Sequence, residues 1–286
     1  MRKLTVKTPA KINLILDVTG KLPNGYHTIE SIFQTVDIFD VLTVELTDSG
    51  IELTCTDPEI PCDERNIAHK AACLFAEYTG KTFGCRIHIE KHIPSQAGMG
   101  GGSSDGAAVI YALDRLLDTK LTDIKMIELG VRLGADVPYF FYGGTAWMGG
   151  IGEELYAQYR GCYDRLFVIA KGKEGVSTAE AYRKIDELVS PHYPPIQDFM
   201  AAIMDGTEYD CFRNIFEQVI DLKEVSDIKT VMTQHGGKNP TMTGSGSAVF
   251  GLFDRLKSAA KCRKALSELG YYAEICQTIN ETFVEC

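Results

Sequence analysis

The stretch Ile93-Pro-Ser-Gln-Ala-Gly-Met-Gly-Gly-Gly-Ser-Ser-Asp105 determines how the rest of the chain is interpreted. Four glycines fall within five of its positions, and an alanine-rich apolar segment from Ala107 to Leu117 follows. Glycine loses more backbone freedom on folding than any other residue, so a cluster of glycines needs a physical reason. Successive backbone N–H groups in a glycine turn, at the start of a helix, form a concave site for a large anion. The stretch therefore predicts a loop that holds the phosphates of a nucleotide.

The composition is that of an acidic globular protein. The chain has 286 residues, of which 45% are hydrophobic and 24% charged, and this length suits two domains. The net charge is −10 and no run of Lys or Arg occurs, so we expect no general affinity for nucleic acid. The first residues lack the apolar core of a signal peptide, and no apolar run reaches the length of a membrane span. We therefore expect a soluble cytoplasmic protein without a membrane partner.

The nine cysteines are scattered and form no Cys-x-x-Cys pair. An odd number without regular spacing is typical of reduced thiols in a cytosolic protein. The sequence thus predicts neither a disulfide framework nor a zinc site.

Hydrophobic periodicity predicts an α+β chain with two domains. In the first half we expect strands within 4–18 with a break at Thr8-Pro9-Ala10, strands at 31–36, 41–46, 51–55 and 84–91, helices at 66–78 and 122–133, and a strand at 139–147. In the second half we expect strands at 166–170, 240–242, 248–253 and 271–276, and helices at 178–188, 196–204, 210–219, 222–235 and 254–269. The pattern resets near 155–163, which predicts domains at 1–157 and 158–286.

Two common nucleotide motifs match the chain poorly. A Walker A loop ending in Gly80-Lys81-Thr82 would need glycine at position 75, which is phenylalanine. A Rossmann pattern that starts at Gly98 has Ser103 in place of its third glycine.

The segment Gly102-Ser-Ser104-Asp-Gly106 also matches the nucleophile elbow of serine hydrolases, with Ser104 as the nucleophile. An elbow is a tight turn from strand to helix, whereas a long glycine run precedes Ser104 here. A structural alternative is that Ser103, Ser104 or Asp105 caps the following helix. Capping would leave the glycines unexplained.

Three segments in the same order resemble the GHMP kinases, the family of galactokinase, homoserine kinase and mevalonate kinase. They are Pro9-Ala-Lys-Ile-Asn13, Pro94–Ser104 and Thr243-Gly-Ser-Gly-Ser247. The resemblance implies a two-domain GHMP kinase fold, with a nucleotide-binding N-terminal domain and a ferredoxin-like C-terminal domain. It places the active site between the two domains.

Further segments are similar to one group of GHMP kinases, which phosphorylates a hydroxyl of a CDP-linked methylerythritol in isoprenoid precursor synthesis. They are Asn24-Gly-Tyr-His27, Leu133-Gly-Ala-Asp-Val-Pro138 and Val176-Ser-Thr-Ala-Glu-Ala-Tyr182. The resemblance covers 1–255. Met99 and Asn24 depart from the usual leucine and aspartate, but neither change removes a group that the chemistry needs. The alternatives are another GHMP kinase, such as a mevalonate or homoserine kinase, and a catalytically silent nucleotide-binding regulator.

The resemblance implies a catalytic pair formed by Lys11 and Asp136. Phosphoryl transfer depends mainly on positioning and on charge stabilisation. A carboxylate can orient the attacking hydroxyl and accept its proton, and a nearby ammonium favours the ionised carboxylate. Taken singly, Asp136 could instead cap a turn before Pro138, and Lys11 could be a solvated strand lysine.

The resemblance also implies which residues bind ligands. The nucleotide would contact Asn66, Lys91, Pro94, Ser95, Gln96, Ala97, Gly98, Met99, Gly100, Gly101, Gly102, Ser103 and Ser104. The substrate would contact Asn13, Tyr26, His27, Thr178, Tyr182, Thr243 and Gly244.

Within these two sets, Tyr26 and His27 are expected to hold the cytosine. Tyr182 either stacks on that base or belongs to the core, while Asn66 and Lys91 could instead be a helix cap and a surface lysine. Mg²⁺ is expected to enter with ATP, and its protein ligands cannot be assigned from the sequence. The oligomeric expectation is a monomer or a weak homodimer.

Overall fold

The computed structural model describes residues 2–159, 165–205, 207 and 209–286. They form two sheets flanked by helices. The strands are β1 (Lys3–Lys21), β2 (His27–Thr47), β3 (Ile51–Cys55), β4 (Gly84–Glu90), β5 (Thr145–Gly149), β6 (Glu154–Tyr159), β7 (Leu166–Lys171), β8 (Arg213–Asn214), β9 (Lys238–Met242), β10 (Val249–Phe253), β11 (Tyr272–Gln277) and β12 (Val284–Glu285). The helices are α1 (Ile67–Thr79), α2 (Gly101–Leu117), α3 (Asp123–Leu133), α4 (Tyr139–Tyr142), α5 (Thr178–Asp186), α6 (Ile196–Met204), α7 (Lys223–Gln234) and α8 (Leu256–Glu268). The α+β prediction is confirmed.

A long antiparallel hairpin, β1–β2, forms the centre of the first sheet, whose main order is β12-β1-β2-β4-β3. The predicted break at Thr8-Pro9-Ala10 is wrong, because β1 runs through Pro9 as one strand. The pairing with β2 shifts register between Pro9 and Ala10. Such an irregularity accommodates a proline that cannot donate to the ladder.

In the first half, α1 and α2 pack against this sheet and α3 packs against α1 and α2. The predicted limits of α1 and α3 are confirmed to within one residue. The Asn66 side chain accepts a hydrogen bond from Ala68 N at the start of α1, and Gly80 ends that helix in the left-handed conformation. Thr122 caps α3 by accepting from Lys125 N.

Two predicted elements are wrong. Residues 139–142 form helix α4 instead of a strand; the helix follows Pro138 and ends at Gly143, whose φ is 67°. The helix predicted at 210–219 is the short strand β8 followed by a 3₁₀ turn at Ile215–Gln218. The Asn214 side chain accepts from Phe216 N and so caps that turn.

The second sheet is antiparallel with the order β11-β7-β10-β9. Numbered along the chain, this is the order 4-1-3-2, with α7 before the second strand and α8 between the third and the fourth. This is the split βαβ pattern of a ferredoxin-like domain, as predicted.

The two halves of the chain are interleaved. Strands β8 and β12, both from the second half, pair with β1 in the first sheet. Strand β6 crosses the predicted boundary at 157/158, and the last residues of the predicted boundary region, 160–163, lie outside the described residues. The domain limits therefore stay a prediction. Within the described part of the chain, no helix is long and apolar enough to cross a bilayer.

Candidate active site

A cavity of 920 Å³ lies between the two halves of the molecule. Elements of the first half contribute Lys11, Asn13, Tyr26, His27 and Asp136, and the second half contributes Thr178, Tyr182 and Gly244. These are most of the residues that were predicted to act on the substrate. Their roles stay predictions, but the structure does bring them together.

Lys11 and Asp136 face each other in this cavity. Lys11 lies on β1, and its Nζ is 3.5 Å from Asp136 Oδ2. The lysine side chain is 4% exposed and the aspartate 33%, so the carboxylate is open to the cavity while the ammonium is largely withdrawn from solvent. Nζ also lies 4.7 Å from the ring centre of Phe33, a cation–π distance. The solvated-lysine alternative is therefore wrong.

Asn13 holds the ammonium in place. Its Oδ1 accepts hydrogen bonds from Lys11 Nζ at 2.8 Å, Thr243 Oγ1 at 3.1 Å and Gly244 N at 3.0 Å. Its Nδ2 donates to Ser31 Oγ at 2.9 Å and has a second hydrogen to offer. Thr243 was predicted to contact the substrate, but it is fully buried in this contact and does not line the cavity.

The glycine stretch runs into helix α2, which begins at Gly101. No side chain caps this helix; Gly100, in the left-handed conformation, takes the N-cap position. The prediction that Ser103, Ser104 or Asp105 caps it is therefore wrong. No described residue accepts from the N–H groups of Gly101, Gly102 or Ser103, so they are available to an anion.

Gly98 and Gly102 have different structural roles in the loop. A Cβ on Gly98 would lie 2.2 Å from the carbonyl oxygen of Thr243, so Gly98 is required for close packing between the two halves. A Cβ on Gly102 would meet only Ile67 Cδ1, at 3.8 Å. Space for a ligand is therefore kept at Gly102, whereas Gly98 serves the interface.

A smaller cavity of 360 Å³ lies on the other side of the loop. All the predicted nucleotide residues except Ser104 line it: Asn66, Lys91, Pro94, Ser95, Gln96, Ala97, Gly98, Met99, Gly100, Gly101, Gly102 and Ser103. Gln96, Gly98, Gly100 and Ser103 line both cavities. The loop is thus the shared wall between two adjoining sites.

Ser104 does not reach either cavity. It is fully buried, donates to the Pro9 carbonyl at 2.7 Å and lies 2.5 Å from the Thr8 hydroxyl. The prediction that Ser104 contacts phosphate conflicts with this placement. A buried hydroxyl in these contacts also argues against the nucleophile-elbow alternative.

Lys91 is not a surface lysine. Its ammonium is paired with Asp40 and, at 2.7 Å, with Asp105 Oδ2, and all three side chains are nearly inaccessible. Burial is the main cause that raises the pKa of the Asp105 carboxyl. Asp40 Oδ1 accepts from the backbone of His92 and Ile93, so the cluster anchors the start of the glycine loop. The Lys91 ammonium thus pairs with two carboxylates and helps to position the loop. The sequence did not indicate this pairing.

The far end of the larger cavity is aromatic. Tyr26 is 60% exposed there, and His27 stacks on Tyr182 with ring centres 4.7 Å apart. Tyr182 also meets Phe216 edge to face at 5.0 Å. Burial, with the charge of Asp136, raises the Tyr182 pKa to about 12. Tyr182 is therefore part of the cavity wall and is packed against the core as well.

Sequence reasoning missed Lys21 and Asp186 at this end. Asp186 Oδ1 lies 2.7 Å from His27 Nε2, and Asp186 Oδ2 lies 2.5 Å from Lys21 Nζ. Asp186 could have been found from its spacing, because it lies four residues after Tyr182 on a predicted helix and therefore on the same helix face. Thr178, on the same helix, lies with its hydroxyl 3.0 Å from that of Ser245.

In the described part of the chain, no group of three or more His, Cys, Asp or Glu side chains could hold a metal ion.

Comparisons with known proteins agree with this geometry. Residues 66–144 match the model of the GHMP kinases N terminal domain, and residues 198–271 match that of the GHMP kinases C terminal. The chain belongs to the GHMP kinases. The crystal structure of homoserine kinase from Cytophaga hutchinsonii shares this fold, with a TM-score of 0.74, over 100% of this chain and 98% of that one at 17% identity.

Relatives of higher sequence identity show which group of GHMP kinases the chain resembles. The 4-diphosphocytidyl-2-C-methyl-D-erythritol kinase of Clostridium tetani is 38% identical over 96% of this chain and 100% of its own. The enzyme of that name from Clostridium botulinum (strain Alaska E43 / Type E3) is 38% identical over 93% of this chain and 96% of its own. A crystal structure of 4-(cytidine 5'-diphospho)-2C-methyl-D-erythritol kinase has a TM-score of 0.80 at 31% identity, covering 96% of this chain and 98% of that one. Within the GHMP kinases, the chain belongs to the 4-diphosphocytidyl-2-C-methyl-D-erythritol kinases.

Proposed function

We propose that the protein transfers the γ-phosphoryl group of ATP to the 2-hydroxyl of 4-diphosphocytidyl-2-C-methyl-D-erythritol. The observation that carries the proposal is the Lys11–Asp136 pair, which lies where a large cavity meets the glycine loop. The smaller cavity beyond the loop is the nucleotide site. The larger one takes the acceptor, with its base at the aromatic end and its hydroxyl at Asp136.

In this arrangement Asp136 orients the acceptor hydroxyl and takes its proton as the oxygen attacks. Its partial exposure leaves an oxygen free for substrate beside the lysine. Lys11, held by Asn13, keeps its charge beside the transferred group and offsets the negative charge that moves there. The first-turn N–H groups of α2 bind the phosphates of ATP.

Mg²⁺ would be held mainly by the phosphates of ATP and by water. Ser103 and Asp136 line the larger cavity beside the loop, and their side-chain oxygens could complete its coordination. The ion would neutralise phosphate charge. We keep the further proposals of a cytoplasmic location and of a monomer or weak homodimer.

A substrate panel tests this proposal. ADP formation is measured with 4-diphosphocytidyl-2-C-methyl-D-erythritol, mevalonate and homoserine, and the product is identified by ³¹P NMR. We expect turnover of the cytidine-linked substrate alone, with the new phosphate on its 2-hydroxyl. Preference for mevalonate or homoserine would contradict the proposal, and no turnover of any of the three would favour a silent nucleotide-binding regulator.

A further inference from the structure

A carboxylate outside every recognised motif joins the two halves at the aromatic end of the cavity. Lys21 ends β1 and His27 begins β2, whereas Asp186 is the last residue of α5 in the second half. Asp186 accepts hydrogen bonds from Lys21 Nζ and from His27 Nε2. It therefore fixes the tip of the β1–β2 hairpin against α5.

This contact determines which nitrogen of His27 carries a hydrogen. Hydrogen bonds from Lys21, the larger cause, and from His27 lower the pKa of the Asp186 carboxyl. The group is therefore ionised at neutral pH and can only accept hydrogen bonds. His27 Nε2 must then be the protonated nitrogen. In the neutral imidazole, Nδ1 is then the nitrogen that carries the free lone pair.

The ring is also prevented from turning. It is 8% exposed, lies parallel to Tyr182 and is held at Nε2, while Nδ1 makes no hydrogen bond to any described residue. His27 lines the cavity beside the exposed ring of Tyr26. A polar ligand atom is the partner that Nδ1 lacks.

We propose that Asp186 is a positioning residue that holds His27 Nδ1 as a hydrogen-bond acceptor toward the nucleobase and so selects cytosine over uracil. The inference rests on the proposed function, because that function places a pyrimidine base in this cavity. Cytosine has an exocyclic amino group that donates to Nδ1. Uracil has a carbonyl oxygen at that position, so two acceptors would face each other. A site built around one hydrogen bond rejects the analogue that cannot make it.

The test measures base selectivity separately from affinity. Binding of CDP and of UDP is measured by titration calorimetry for the wild type, Asp186→Ala and Asp186→Asn. Glu187→Gln is the matched control, because it removes the neighbouring carboxylate, which is exposed, pairs with Arg183 and does not line the cavity.

We expect the wild type to prefer CDP, and the preference to fall at least tenfold in Asp186→Ala. Asp186→Asn should lose part of it, because an amide can present either a donor or an acceptor to Nε2. Glu187→Gln should leave it unchanged, and kcat of Asp186→Ala at saturating cytidine-linked substrate should stay within about threefold of the wild type. Equal weakening of CDP and UDP in both Asp186 variants would mean a purely structural role and would overturn the inference.

The two proposals fail in distinguishable ways. If the wild type selects CDP through Asp186 but does not phosphorylate the cytidine-linked substrate, the proposed function fails and this inference stands. If the wild type does phosphorylate it but the Asp186 variants keep the CDP preference, only this inference fails.

Discussion

At the scale of single residues, Asn13 shows how one side chain serves both halves of the molecule. Its amide oxygen accepts from Lys11, two positions away, and from Thr243, 230 positions away. Lys11 and Asn13 lie on the same strand, and the contacts from Thr243 and Gly244 in the second half further restrain the oxygen that accepts from Lys11. The role of Asn13 in orienting Lys11 is thus tied to the interface as well as to the substrate.

Asp17 is a residue whose burial costs stability. It is 7% exposed, and burial followed by the charge of Glu30 raises its pKa from 3.8 to about 6. The folded state therefore binds this proton more tightly than the unfolded state, and stability falls as pH rises from about 4 to 6. Above pH 6 the full cost, on the order of 2 to 3 kcal/mol, is present.

We accordingly expect Asp17→Asn to stabilise the protein at pH 8 and to have little effect at pH 4. The side-chain oxygen of asparagine can still accept the hydrogen bond that Val18 N donates to Asp17 Oδ1 in the wild type. Urea unfolding of both proteins at the two pH values measures the difference, and Glu30→Gln should give a smaller gain. Equal effects of Asp17→Asn at both pH values would show that the carboxyl is not strained by burial.

At the scale of elements, the glycine loop separates packing from ligand binding. Gly98 has a φ of 72° and abuts Thr243, whereas Gly102 lies in the first turn of α2 with open space beside it. We expect Gly102→Ala to fold normally or gain up to about 1 kcal/mol, because alanine is the better helix former. Its methyl group would occupy the predicted phosphate site, so KM for ATP should rise tenfold or more.

Gly98→Ala is the contrasting variant, because its Cβ would collide with backbone. It should lower Tm by several degrees whether or not ATP is present. Thermal unfolding and ATP-dependent kinetics of the two variants distinguish a packing role from a ligand-binding role for each glycine. If Gly102→Ala left KM for ATP unchanged, the loop would not be the phosphate site.

Sequence reasoning succeeded where the signal is local. The caps Asn66 and Thr122 and the alternation of Gly84–Glu90 depend on neighbours in the chain, and those elements lie as predicted. The family motifs located Lys11 and Asp136, which the structure brings within 3.5 Å. The burial of Ser104 and Lys91 depends on partners contributed by β1 and β2, and no local pattern shows that.

At the scale of the whole molecule, the end of the chain completes the first sheet. Val284 and Glu285 pair with β1, and Phe283 stacks on Tyr111 at 4.8 Å and meets Phe141 at 5.7 Å. Pairing between the two ends of a chain carries no sequence signature. The prediction of a simple division at 157/158 could not include it.

We expect Phe283→Ala to destabilise the protein by on the order of 2 to 3 kcal/mol, since it removes a ring from contact with both neighbours. Val284→Ala is the control, because that side chain is 39% exposed and should cost well under 1 kcal/mol. Denaturant midpoints of the two variants give the comparison. Equal midpoints would mean that the C-terminal segment contributes little to the first half.

In the proposed reaction, the γ-phosphoryl group of ATP passes to the cytidine-linked substrate while Asp136 takes the hydroxyl proton and Lys11 offsets negative charge. The most direct test is the saturating rate of ADP formation with 4-diphosphocytidyl-2-C-methyl-D-erythritol for Asp136→Asn against the wild type, with Tm measured on both. We expect kcat to fall by about a hundredfold to ten-thousandfold with Tm nearly unchanged. A near-normal rate in a folded Asp136→Asn protein would rule out Asp136 as the base.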